Sequence, residues 1–562
     1  MRCVDARTLK ARGALGRGTG TEADMPSTVM SPTRPHTAPR PGRSLRTWHA
    51  GRMSPTTRPG PEGADASPRG VPARAASADE LALQRKALSV LTALPREVAA
   101  LGRAFEEAGH ELALVGGPVR DAFLGVHPHD LDFATSAHPD ETERLLTAWG
   151  TATWDMGREF GTIGARRGDT VVEVTTYRTD EYDPASRKPV VQFGDTLEGD
   201  LSRRDFTVNA MAVRLPGLEF VDPFDGLGAL AEKSLRTPVT ATQSFDDDPL
   251  RIMRAARFTA QLGFSVEEDV LAAMTELAPR LEIVSAERVR AELERLLLSP
   301  HARDGLDLMV WSGVADVVLP ELATLRQTVD EHGRHKDVYE HTLTVLDQAI
   351  DLEGPPAGTP EGDAHPVASP DLVLRLAAIM HDIGKPATRR FEGPKVTFYH
   401  HDIVGAKQAT KRLKALTYPT QVVKAVAKLI ELHLRFHGYS DGEWTDAAVR
   451  RYVRDAGAEL EHLHMLTRAD CTTRNRQRAT KLRRAYEELE WRIDELAAQE
   501  ELASLRPHLD GTQIMEVLGI GPGRDVGQAY SFLLEHRTEH GPIPHDDAVE
   551  LLRQWWADRG GQ

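Results

Sequence analysis

The stretch Leu114-Val-Gly-Gly-Pro-Val-Arg-Asp-Ala-Phe-Leu-Gly125, with Asp130-Leu-Asp132 close behind it, decides the fold of this chain. A short apolar strand, Glu111–Val115, runs into Gly116 and Gly117 and then into a helix, Pro118–Leu124, with Pro118 at its first position. Glycines allow a phosphate to approach the backbone, and a helix N-terminus favours an anion. Arg120 falls in the first turn, where it can pair a phosphate. Asp130 and Asp132 are two apart on the next predicted strand, so both carboxylates face one side. Like charges on one face repel unless a cation lies between them, and Mg²⁺ is commonly shared between carboxylates and substrate phosphates.

Outward from this stretch the chain is long and polar. Its 562 residues allow three or four domains at roughly 100–200 residues each. Hydrophobic residues make up 40% and charged residues 27%, a globular mix, and no apolar run long enough for a membrane helix is found. Two cysteines, Cys3 and Cys471, exclude a disulfide scaffold and a zinc ribbon, and suit a reducing compartment. The net charge of -15 does not exclude a nucleic-acid partner, because local fields matter more than the sum. Residues 1–75 hold 13 Lys/Arg against 5 Asp/Glu and 10 of the 35 prolines. Such a segment cannot bury enough apolar surface to order itself, so 1–78 is expected to be a disordered basic leader. It reads as a dispensable leader, an RNA-tethering tail or a transit-like segment.

A mixed α/β head is expected over 79–235. Strands are predicted at Leu131–Ala134, at Thr162–Ala165 and Val171–Tyr177 as a hairpin, and at Val208–Arg214 and Glu219–Val221. Glu173 could add a third carboxylate or simply be a polar residue on a half-exposed strand. Asp200-Leu-Ser-Arg-Arg-Asp-Phe-Thr-Val-Asn-Ala210 places Arg203, Arg204, Asp205 and Asn209 together, cations and polar groups suited to a nucleotide. In Asp246-Asp-Asp-Pro-Leu-Arg-Ile-Met-Arg-Ala-Ala-Arg-Phe258, Asp248 is a good helix cap ahead of Pro249. Arg251, Arg254 and Arg257 recur every three residues and predict one cationic face. Asp248 and Arg251, a turn apart, offer an acceptor and donors in a fixed frame that can read a base edge.

These motifs, in this order and with Asp222-Pro-Phe-Asp-Gly226, resemble the class II CCA-adding tRNA nucleotidyltransferases and the related bacterial poly(A) polymerases over roughly residues 85–335. The resemblance implies a polymerase-β-type head and two-metal nucleotidyl transfer. Asp130 and Asp132 would be catalytic and bind Mg²⁺. Gly117 and Arg120 would hold the triphosphate, and Arg204, Asp205 and Asn209 would contact its sugar and phosphates. Asp248 and Arg251 would read the Watson–Crick edge of CTP or ATP, supported by Arg254 and Arg257. Where the family usually has Glu-Asp before Pro-Leu-Arg, this chain has Asp247-Asp248.

Beyond residue 235 the periodicity is helical: a neck and RNA-binding body over 236–334, a domain over 335–475 and a helical C-terminal region over 476–562. His341, His381-Asp382-Ile-Gly-Lys385, His400-His401, His433 and Asp470 each fall in or beside a predicted helix. Imidazoles with a bridging carboxylate suit a metal that activates water for phosphoester hydrolysis. This set resembles the HD superfamily of metal-dependent phosphohydrolases, with His341, His381, Asp382, His401, His433 and Asp470 as ligands of a divalent cation (Mg²⁺, Mn²⁺ or Ni²⁺). A loop over 354–370 is longer than that family needs. The basic run from Arg474 to Arg484 could follow an RNA backbone or be a solvated face. Trp555 and Trp556 could pack the last helix or stack on RNA.

The fold expected is therefore an α/β nucleotidyltransferase head with a mixed sheet, an all-α neck and body, an α-helical HD domain and a helical C-terminal tail. Its expected partners are tRNA, CTP and ATP, with no membrane. Arginine outnumbers lysine 56 to 13, which suggests a GC-rich bacterial genome and a cytoplasmic protein. A partial CC- or A-adding enzyme or a poly(A) polymerase shares every head motif. A different class, an HD phosphohydrolase with an RNA-binding head, is opposed by the intact Asp130-x-Asp132 pair.

Overall fold

The computed structural model describes residues 76–128, 130–181, 190–194, 196–328, 337–355, 367–393, 395–436, 444–472, 476–500 and 506–560. The expected leader up to residue 75, most of the expected 354–370 loop and the start of the basic run at Arg474 lie outside these residues.

Two helices, Ala78–Thr92 and Arg96–Glu107, open the head. Ser77 caps the first: its hydroxyl accepts from the Glu80 amide while the Glu80 carboxylate accepts from the Ser77 amide. The strands are β1 (Leu112–Val115), β2 (Leu131–Thr135), β3 (Ala152–Gly157), β4 (Thr162–Arg167), β5 (Thr170–Thr176), β6 (Arg178–Glu181), β7 (Val190–Phe193), β8 (Ala212–Leu215) and β9 (Glu219–Val221). Seven of them form one mixed sheet in the order β3-β4-β5-β2-β1-β8-β9, and β6 pairs with β7 apart from it. β2 and β5 run parallel; the other neighbours in the seven-stranded sheet are antiparallel.

The two faces of the sheet differ. Leu112, Leu114, Leu131, Phe133 and Val174 pack beneath Leu101, Phe105 and Leu146 from the helices Arg96–Glu107 and Pro139–Trp149. The opposite face carries small residues, Ala113, Ala134 and Ala212, with Val115 and Tyr177. Asp132, two residues before Ala134, belongs to this second face.

Several elements differ from the sequence expectations. The helix Pro139–Trp149, the edge strand β3 and the β6–β7 pair have no counterpart among them. Short edge strands owe their form to the neighbour they pair with more than to their own residues. The strand expected over Val208–Arg214 begins only at Ala212, because Thr207–Asn209 is a 3₁₀ turn. Asn209 is drawn there by its side-chain bonds to Asp205 and Arg120.

After residue 235 the described chain is helical apart from short strands. The helix Leu250–Leu262 packs against Ala286–Leu297 and Ala302–Trp311. Val338–Leu352, Leu372–Met380, His401–Ala415, Thr420–Leu432, Asp446–Ala456 and Leu460–Asp470 follow, and one apolar core is continuous from the head into them. A separate small core of Leu509, Ile514, Ala529, Leu533, Ala548 and Leu552 holds the last three helices. Trp555 stacks on Phe532 there, with ring centroids 5.0 Å apart, so it packs the tail. Among the described residues no helix is long and apolar enough to cross a membrane.

Candidate active sites

The first site lies on the small-residue face of the head. Asp132 is exposed on β2, directly opposite Glu173 in the parallel pairing with β5. Asp130 stands just before β2 and not within it as expected, and is also exposed. Partial burial pushes the Asp132 carboxyl up, the neighbouring charges of Glu173 and Asp130 add to this, and Arg204 opposes it. Three carboxylates gathered at one place form a donor set suited to a hard divalent cation. Asp130 and Asp132 would hold it, with Glu173 beside them.

Gly116 makes the turn from β1 into the helix Gly117–Leu124 with φ +76° and ψ -131°, a conformation side chains resist. A Cβ there would lie 2.8 Å from Arg204 Nη1, so the glycine also lets that cation approach. Arg204 and Arg203 are both held by Asp200, four and three residues before them, at 3.0 and 2.6 Å. Burial pushes Asp200 up, but Arg204 and Arg203 outweigh it and keep its carboxyl below the usual range.

A hydrogen-bonded line crosses the site. Arg120 Nη1 donates to Asn209 Oδ1 at 2.8 Å, and Asn209 Nδ2 donates to Asp205 Oδ1 at 2.9 Å. Arg254 Nε donates to Asp205 Oδ2 at 2.7 Å. Asp205 is buried, which alone would raise it, but Arg254, Asn209 and Arg251 together outweigh burial and hold it at about 2. Phe258 is flanked by the guanidinium groups of Arg120, Arg254 and Arg257 at 5.3, 5.6 and 3.9 Å from its ring centroid.

The carboxylate of Asp248 accepts from the Leu250 amide at 3.2 Å and faces Arg288 at 3.3 Å. Arg251 is buried, donating to Ser244 Oγ at 2.8 Å and to the carbonyl of Arg203. The three arginines do not make the open cationic face that their spacing predicts. Arg257 turns into the neck and pairs with buried Glu292 at 2.5 Å, and Arg254 is taken by Asp205. Spacing says which side chains share a helix face but not what that face meets.

The second site is built from five helices. His341 lies in Val338–Leu352, His401 opens His401–Ala415, and Asp470 closes Leu460–Asp470. His381 and His433 each follow the last helical residue of their own helix. His341 Nε2 is 2.9 Å from Asp470 Oδ1 and 3.3 Å from His381 Nε2. Asp382 Oδ2 is 3.2 Å from His381 Nε2, and its Oδ1 is 3.3 Å from His401 Nε2. His381 keeps helical dihedrals (φ -57°, ψ -35°) just past the helix end at Met380, and its Nε2 and the Asp382 carboxylate still reach one another. Lys385 Nζ lies 2.8 Å from Asp382 Oδ2. His400 has φ +63°, is exposed and stands outside the cluster.

The donor set fits a divalent cation. His381, His401 and His433 each direct Nδ1 at a backbone carbonyl three residues earlier, at 2.9, 2.8 and 2.6 Å. That leaves Nε2 of each facing the cluster as a ligand atom. The Nε2 atom of His433 is buried with no hydrogen-bond partner among the described residues. Burial keeps His433 neutral, with its pKa lowered to about 4. Burial would also lower His381, but Asp382, with Asp470 and the Ala378 carbonyl, outweighs it and holds the imidazolium up at about 9, so a cation would take a proton's place. Potential ligands lie within 4.8 Å of one another in two triplets, His341, His381 and Asp470, and Asp382, His401 and His433.

Sequence reasoning assigns no role to Asp200, Ser244, Glu292 or Asp222. Asp200 is recoverable, since three- and four-residue spacing to two arginines is a local signal. Asp222 stands in the sequence only as part of a motif; its carboxylate accepts from the Gly226 and Leu227 amides at 2.7 and 2.9 Å, which starts the helix Gly226–Glu232. Glu292 and Ser244 carry no signal, because the residues they meet are distant or on another helix.

A mixed sheet bearing three carboxylates, joined to arginine-rich helices, defines a nucleotidyltransferase head. Family models agree: Poly A polymerase head domain over 112–236, probable RNA and SrmB-binding site of polymerase A over 263–325, and HD domain over 338–475. An A-adding tRNA nucleotidyltransferase of Deinococcus radiodurans is 33% identical over 456 residues, covering 79% of this chain and 95% of that protein. A CCA-adding enzyme of Streptococcus gordonii is 43% identical over 225 residues, 40% of this chain and 55% of that protein, so the match spans about half its length. The crystal structure of the Bacillus stearothermophilus CCA-adding enzyme in complex with CTP has the same fold, with a TM-score of 0.57 and 24% identity over 83% of this chain and 98% of that one. The chain belongs to the tRNA nucleotidyltransferase family of CCA-adding and A-adding enzymes, with an HD domain.

Proposed function

We propose that this protein adds CCA to the 3′ end of tRNA from CTP and ATP without a nucleic-acid template. The observation that carries this is the Asp248–Arg251 frame, fixed by Ser244 and the Arg203 carbonyl beside the line from Arg120 to Arg254. The tRNA 3′-hydroxyl oxygen attacks the α-phosphorus of the nucleotide, and pyrophosphate leaves. Mg²⁺, which Asp130 and Asp132 would hold, would supply the positive charge that activates the attacking oxygen and stabilises the leaving one. Arg120, Arg204 and the backbone at Gly117 hold the triphosphate. Asp205 and Asn209 fix Arg120 and Arg254 and face the nucleotide sugar. Asp248 accepts from the base edge and Arg251 donates to it, while Arg257 steadies the helix through Glu292. The test is a tRNA transcript ending before the CCA, incubated with Mg²⁺ and each nucleotide singly. Incorporation of C, C and A in order supports the reading.

The Deinococcus radiodurans relative favours a second reading, addition of A alone. Failure to use CTP on that transcript, with ATP used on one ending in CC, would select it. The HD cluster suits a further activity, hydrolysis of a cyclic or terminal phosphate at an RNA 3′ end, which would free the hydroxyl the head requires. A divalent cation (Mg²⁺, Mn²⁺ or Ni²⁺) there would supply Lewis-acid charge for that hydrolysis. The bacterial cytoplasm, where tRNA matures, is the compartment this reading implies.

A further inference from the structure

The helices His401–Ala415 and Thr420–Leu432 form a hairpin joined by Leu416–Pro419. Residues 403–430 contain no aspartate or glutamate, but hold Lys407, Lys411, Arg412, Lys414, Lys424 and Lys428. Five of the 13 lysines of the chain therefore fall in 22 residues of a protein whose net charge is -15. Composition alone would not produce this, so the hairpin is locally set apart as a cation surface.

The spacing puts these lysines on stripes. Lys407, Lys411 and Lys414 are four and three apart on the first helix, and Lys424 and Lys428 are four apart on the second. Lys407, Lys411, Lys414 and Lys424 are exposed, and none has an ion-pair partner among the described residues. A cleft between the helices is lined by Lys414, Lys424, Lys428 and Arg435, with Glu431 and with Asp455, which already pairs with Arg435. Asp455 compensates Arg435 and Lys428 reaches the Ala456 carbonyl at 3.4 Å, which leaves Lys407, Lys411, Lys414 and Lys424 as exposed like charges that a polyanion would bring into balance.

The hairpin also links the neck to the HD centre. Its turn meets the neck helix Ala286–Leu297, where Arg290 donates to the Thr417 carbonyl and lies 5.8 Å from the Tyr418 ring centroid. Its far ends carry His401 and His433 of the HD cluster. We propose that the lysine-lined hairpin 401–432 is a docking surface for the tRNA phosphate backbone, outside the region matched to an RNA-binding site, running between the neck and the HD centre. This rests on the reading of tRNA as the substrate. Ammonium groups without base-reading partners bind phosphates regardless of sequence, which suits an enzyme that must accept every tRNA.

The test titrates the full-length protein and a Lys411→Gln/Lys414→Gln/Lys424→Gln variant with a tRNA transcript ending before the CCA, at several salt concentrations. The variant should bind about tenfold more weakly at low salt, and the slope of log affinity on log salt should fall by roughly 0.9 for each phosphate that is no longer neutralised. Lys424→Gln alone serves if the triple variant melts early. Equal affinity and slope overturn the proposal, as does weaker binding with an unchanged slope. Displacement of the tRNA by micromolar inorganic phosphate also overturns it, since the cleft would then be a small-anion site. A parent protein that binds the transcript with the expected salt dependence but adds no nucleotide overturns the proposed function and leaves the docking surface standing.

Discussion

Asp132 and Glu173 face each other across the parallel strands β2 and β5, in register, with Asp130 at the lip of the same strand. Their mutual repulsion helps push the Asp132 carboxyl up, and a cation between them would relieve it. Asp130→Ala and Asp132→Ala should each lower nucleotide addition by at least about 100-fold, the scale on which removing one transition-state charge partner acts. Binding of tRNA, measured by anisotropy, should stay within about twofold. Full addition by both variants would sink the assignment.

Nucleotide choice should depend on Asp248 and Arg251. Either residue changed to alanine should relax discrimination against UTP and GTP by ~1–3 kcal/mol, the worth of a bidentate base contact. Ser244→Ala, which removes the hydroxyl that orients Arg251 at 2.8 Å, should do so in part. Single-nucleotide incorporation assays read this directly. Unchanged discrimination would reduce Asp248 to a helix cap.

Asp205 should make the protein sensitive to acid. Its folded pKa of about 2 lies below its ordinary value of 3.8, so its ionised form stabilises the fold above the ordinary value. That contribution, about 2 kcal/mol, is lost as pH falls through 3.8 towards 2. The gap in melting temperature between the parent and Asp205→Asn should be widest near neutral pH and shrink between about pH 4 and 2. A constant gap would show that Arg254, Asn209 and Arg251 do not hold this carboxylate ionised.

Gly116→Ala should cost about 1–3 kcal/mol of stability, since φ +76° with ψ -131° is strained for any side chain. It should also raise KM for the nucleotide, because the new Cβ would crowd Arg204. Thermal melting and initial rates against CTP concentration check both effects. An unchanged KM would separate Arg204 from the triphosphate.

At the HD centre, His381→Ala and Asp382→Ala should abolish bound divalent metal, read by elemental analysis, and hydrolysis of 2′,3′-cyclic or 3′-phosphate RNA ends. Nucleotide addition should persist. Metal content equal to that of the parent would remove these residues from the ligand set.

Whatever depends on local spacing is legible in the chain before it folds. The turn at Gly116-Gly117 and its helix, the strand side shared with Asp132, and the helix Arg476–Glu500 follow from backbone freedom and from the periods of 2 and 3.6 residues. What those elements meet is settled by packing alone. Glu173 stands opposite Asp132, 41 positions earlier in the chain, because β2 and β5 pair in parallel. Arg254 and Arg257 are legible as one helix face, but Asp205 and Glu292, distant in the chain, turn that face from an open cationic surface into buried ion pairs. Likewise each HD histidine is visible singly, while their convergence requires five helices to pack. The reason is the same throughout. Local periodicity fixes the direction of a side chain relative to its own element, whereas burial, register and charge pairing are set by the element packed against it.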